Sequence, residues 1–98
     1  MKITFPKKSN EEIIASIKNA MGGRSLSDLI SLEDCGDEIR LKISKMGTSI
    51  LVFSRTETAK DTELLLKSEK IAFAHKAFRD DVIEKFKQVI KTAGGTAS

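Results

Sequence analysis

Glu69-Lys70-Ile71-Ala72-Phe73-Ala74-His75-Lys76-Ala77-Phe78-Arg79-Asp80-Asp81-Val82-Ile83-Glu84-Lys85-Phe86-Lys87-Gln88-Val89-Ile90-Lys91-Thr92 carries the strongest helical pattern in the chain. Phe78, Val82, Phe86 and Val89 recur four, four and three residues apart, and Ile83 and Ile90 widen that row. This is the apolar stripe of an amphipathic helix. Asp81 and Lys85 are spaced to pair on its surface. Lys85, Lys87 and Lys91 suit the negative end of its dipole. The chain before Ser68 is rich in short strand-like runs, and this helix is the natural cover for a sheet built from them.

Working back from the helix, Thr62 to Lys67 reads as a strand, with Leu64, Leu65 and Leu66 placing apolar groups on both faces and Ser68 as the helix cap. Ser49 to Arg55 contains Ile50-Leu51-Val52-Phe53, apolar without alternation, which predicts a strand that is central or covered on both faces. Ile39, Leu41 and Ile43 alternate with Arg40 and Lys42, the pattern of a strand with one wet face. Asp34-Cys35-Gly36-Asp37 supplies the residues of a turn. Leu29 to Glu33 is read as a short strand, although Ser27-Asp28 could instead cap a further helical turn within 25–34.

Ser9-Asn10-Glu11-Glu12 is a capping box, followed by Ile13, Ile14, Ile17, Ala20 and Met21 at helical spacing. Gly22-Gly23 is expected to end that helix. Lys2 to Phe5 alternates and stops at Pro6, which has no N–H to give a ladder. The predicted order is therefore β-α-β-β-β-β-α, or one strand fewer. This is an α+β fold: a curved antiparallel sheet of four to five strands, with both helices on one face. Residues 1–92 are expected to form one domain and 93–98 a disordered tail.

Composition narrows the function classes. The 98 residues carry 17 Lys and Arg against 14 Asp and Glu, a net charge of +3, too mild to mark a nucleic-acid footprint. No apolar run approaches the roughly 18 residues of a membrane span, and the N-terminus lacks a signal peptide's apolar core. With one cysteine there is no internal disulfide, and a reducing cytoplasm is the expected compartment.

No catalytic, cofactor-binding or metal-ligating constellation is evident, so the chain is read as a non-enzymatic module without cofactor or metal. His75 is the only histidine and falls on the buried stripe of a continuous helix, where a structural role is expected. Cys35 sits among Asp34, Asp37 and Glu38, whose charge disfavours a thiolate. Gly22-Gly23-Arg24-Ser25 follows a helix, whereas phosphate loops precede one. Asp80, Asp81 and Glu84 read as a solvated face.

Two surfaces stand out as candidates for interaction. Phe73 lies roughly opposite the centre of the apolar stripe at about 100° per residue. Either the helix begins or kinks near His75, or Phe73 reaches a second surface such as a dimer partner or an apolar ligand. Ile71, Phe73 and His75 are the candidate residues there. Lys2, Lys7, Lys8, Lys18 and Arg24 form the alternative, a basic end that a nucleic acid could contact. The absence of Trp and Tyr and the intermixed acids disfavour it.

Several stretches together resemble the polyhydroxyalkanoic acid system family, small bacterial proteins found with polyester storage granules. They are Ile39-Arg40-Leu41-Lys42-Ile43, Met46-Gly47-Thr48-Ser49-Ile50-Leu51-Val52, Glu63-Leu64-Leu65-Leu66 and the helix from Phe78 to Phe86. The resemblance covers most of the chain in order. Ile71-Ala72-Phe73-Ala74-His75 departs from it, lacking the proline that the family tends to place before its last helix. What it implies is granule association and no catalytic residue.

Overall fold

The computed structural model describes residues 1–21, 29–44 and 47–98. The elements are β1 (Lys2–Pro6), α1 (Asn10–Met21), β2 (Ile30–Asp34), β3 (Glu38–Ser44), β4 (Thr48–Glu57), β5 (Asp61–Lys70), a 3-10 segment (Phe73–Phe78), α2 (Arg79–Thr92) and β6 (Thr96–Ala97). All pairings are antiparallel in one curled sheet of order β2-β3-β4-β5-β1-β6. The α+β class is as expected; the sheet has six strands rather than four or five.

The capping box forms at the start of α1: the Glu12 N–H donates to Ser9 Oγ at 3.2 Å and the Ser9 N–H donates to Glu12 Oε1 at 3.4 Å. The helix buries Ile13, Ile17 and Met21, four residues apart. The expected stop at Gly22-Gly23 lies outside the described residues, as does the 25–28 part of the stretch 25–34 left open between strand and helix; Ile30–Asp34 of that stretch is strand. At the predicted turn Gly36 takes a positive φ of 78°, and the Asp34 carboxylate accepts its N–H at 2.9 Å.

One core lies between the sheet and both helices. Alternate residues of each strand face it: Ile3 and Phe5, Ile39 and Leu41, Leu51 and Phe53, and Leu64. Phe86, Val89 and Ile90 of α2 meet them, with the Phe86 ring 6.4 Å from that of Phe53. Among the described residues the opposite face of the sheet carries no helix, and β4 meets its expectation by lying centrally, with a strand on each side. Register explains its unbroken apolar run. Ile50 lies between Lys42 and Lys70, and Val52 lies opposite Arg40, a setting in which long cationic stems shield apolar neighbours while their heads stay wet.

Two segments depart from expectation. Residues 93–98 are not a disordered tail. Thr96 and Ala97 pair with Thr4 and Ile3, and Lys2 and Ser98 exchange backbone hydrogen bonds of 3.0 and 2.9 Å. Gly95 makes this possible, because a Cβ there would lie 2.9 Å from the buried Phe5 ring and 3.0 Å from the Thr4 carbonyl oxygen. The last helix is also shorter than the pattern implied. Ser68 does not cap it but pairs with Val52 inside β5, which runs on to Lys70.

Candidate interaction surface

The junction between β5 and α2 has an inward polar side and an outward aromatic one. No side chain caps either helical segment. Ala72 precedes the 3-10 segment in extended backbone, and Phe78 precedes α2 at φ −113° and ψ 4°, close to the sparsely populated bridge region. Asp80 and Asp81 fall in the first turn of α2, where carboxylates suit the helix dipole.

Ser49, fully buried on β4, holds the segment from within. Its Oγ accepts the Ala72 N–H at 2.8 Å and lies 2.6 Å from His75 Nδ1. Because Oγ already accepts one hydrogen, it bonds His75 in one of two ways. It donates its hydroxyl proton to a neutral Nδ1, or its second lone pair accepts from a protonated Nδ1. The His75 N–H closes the turn on the Ala72 carbonyl at 2.9 Å.

A second tie spans the segment from end to end. The Arg79 guanidinium donates to both carboxylate oxygens of Glu69, with Nη2 at 2.7 Å from Oε1 and Nε at 3.1 Å from Oε2. This fork geometry is the strong form of the pair. It pushes the Arg79 pKa up, chiefly through the hydrogen bonds to Glu69.

The six residues of the 3-10 segment, Phe73–Phe78, present their phenylalanines outward. Phe73 is 89% exposed and Phe78 62%, with the Lys76 ammonium 6.0 Å from the centre of the Phe73 ring. Phe73 faces outward on the 3-10 segment, which runs from Phe73 to Phe78 before α2 begins, so it does not share the register of the α2 stripe. Phe78 was expected on the buried stripe; it lies outside because α2 starts only at Arg79. His75 is half-buried against Ser49 rather than part of a continuous helical stripe. Ile71 packs against the core. Of the three candidate residues, then, only Phe73 faces out, and Phe78 joins it.

The basic candidates do not form a patch of uncommitted charge. Lys2 pairs with Glu63 at 3.2 Å and Lys7 approaches Glu57 at 4.0 Å. Lys8 folds back, its ammonium 3.4 Å from Ser16 Oγ and 5.8 Å from the centre of the Phe5 ring. Lys18 is exposed near the end of α1, and Arg24 lies outside the described residues.

A further polar cluster fastens α1 to the sheet. The Asn10 amide donates to Asp34 Oδ1 at 2.8 Å and to the Gly36 carbonyl at 2.7 Å, and its oxygen accepts from Arg55 Nη1 at 2.6 Å. Arg55 Nη2 donates to the Lys8 carbonyl at 3.0 Å and to Glu57 at 2.9 Å. The Asn10 amide, then the Gly36 N–H, hold the Asp34 carboxyl below its ordinary pKa, and the nearby Arg55 charge adds to this. An open depression of about 440 Å³ adjoins the cluster, lined by Cys35, Asp37, Glu38, Ser54, Arg55 and Lys67. Its cations are engaged, Arg55 as above and Lys67 with Glu38 at 2.6 Å.

Among the described residues no group of three or more His, Cys, Asp and Glu could hold a metal ion, and no helix is long and apolar enough to cross a membrane. No family model matches the chain, and neither the curated proteins nor the solved structures contain a significant match.

Proposed function

We propose that this chain is a binding module, without catalytic function, that docks through Phe73 and Phe78 onto an apolar or protein surface. The observation that carries this reading is the exposure of two phenylalanines, 89% and 62%, on a segment tied down from its inner side. An exposed aromatic on a loose loop must be ordered on binding, whereas one already held in place avoids that cost. The backbone here is anchored at Ala72, at His75 and across Glu69–Arg79, so the rings are displayed on a pre-organised platform.

The resemblance noted in the sequence gives this reading its concrete form, attachment to polyester storage granules. The charge around the rings fits an apolar target better than a polyanion, because Lys70, Lys76 and Arg79 are balanced by Glu69, Asp80 and Asp81.

The test is sedimentation with poly(3-hydroxybutyrate) particles, using Phe73→Asp, Phe78→Asp and the control Leu65→Ser on the helix-free face of the sheet. Burying one ring is worth about 1.5–3 kcal/mol, so each Phe variant weakens binding about tenfold to a hundredfold. Its unfolding midpoint stays unchanged. Binding by the wild type barely responds to salt, and the Leu65 control retains it. Undiminished binding by the double Phe variant would sink the proposal. A steep fall in wild-type binding with salt would point instead to a polyanionic partner.

A further inference from the structure

We draw no further inference here: the strongest candidate, the exposed aromatic patch of Phe73 and Phe78 on the 3-10 segment, belongs to the surface already described, and nothing in the structure shows what covers it.

Discussion

Ser49→Ala removes one oxygen from the core and, with it, the inner support of the aromatic segment. The serine is fully buried, so no water replaces the lost group without rearrangement. Ala72 loses the acceptor of its 2.8 Å hydrogen bond, and His75 loses its 2.6 Å partner. An orphaned backbone N–H costs about 1–3 kcal/mol. Ala72 is half-buried, and partial access to water brings the expected loss to about 1–2 kcal/mol. For a domain of this size that lowers the melting temperature by roughly 4–16 °C. The same quantity read at one site is more diagnostic. Hydrogen exchange at the Ala72 amide should accelerate about 5- to 30-fold, while amides in the middle of β3 and β4 change only by the global loss. Particle binding weakens too, although both phenylalanines are intact, because the segment must now be ordered on contact. Unchanged protection of the Ala72 amide would refute the role assigned to Ser49. A large global destabilisation with no local excess at Ala72 would show that the serine matters only as packing.

Three further outcomes follow from the structure. Gly95→Ala puts a methyl group 2.9 Å from the Phe5 ring and 3.0 Å from the Thr4 carbonyl. Overpacking there costs about 1–3 kcal/mol, and the Lys2 and Ser98 amides should lose protection as β6 is displaced. Asn10→Ala leaves Asp34, the Gly36 carbonyl and Arg55 without their shared partner; urea unfolding should report a loss of about 2–3 kcal/mol at an unchanged slope. Asp34 has a folded pKa below its ordinary value. It therefore stabilises the fold above an unfolded pKa of about 3.9 and ceases to as the pH falls through the lower folded value. Urea midpoints measured from about pH 6 to about pH 2 should accordingly fall less steeply for Asp34→Asn than for wild type, with the gap closing at the acid end.

What could be read from the sequence was local. The capping box at Ser9 and Glu12 and the alternation of Ile39, Leu41 and Ile43 each carry their signal within a few residues, and both led to the right element. The tail is the opposite case. Thr96-Ala97 after two glycines has no strand pattern of its own, and its partner is β1 at the far end of the chain. The start of the last helix was misplaced because Ser68 looks like a cap, yet strand pairing with Val52 claims it. Asp80-Asp81 was the better marker, since paired acids favour a first helical turn. Ser49 gave no signal of its function. A lone serine beside an apolar run can face either way, and only the sheet register turns it inward, where a buried hydroxyl needs partners. Phe73 was recognisable as an outlier from the helical row, whereas Phe78 fitted that row and came out of it only because the helix begins one residue later.

One residue in β5 sets the parity on which the docking segment depends. Val52 pairs with Ser68 but Phe53 pairs with Leu66, leaving Lys67 as an extra residue. Before it, Thr62, Leu64 and Leu66 point to the helix side; after it, Glu69 does, opposite Leu51. Drawing Lys67 into the ladder opposite Val52, with no residue left over, would shift the count by one. Such a slip turns every later side chain to the other face, sending Glu69 away from Arg79 and bringing the lysine that follows it inward. The bulge thus acts as a frame for everything downstream: a single inserted residue determines whether the strand ends on the carboxylate that Arg79 grips or on a cation that would repel it.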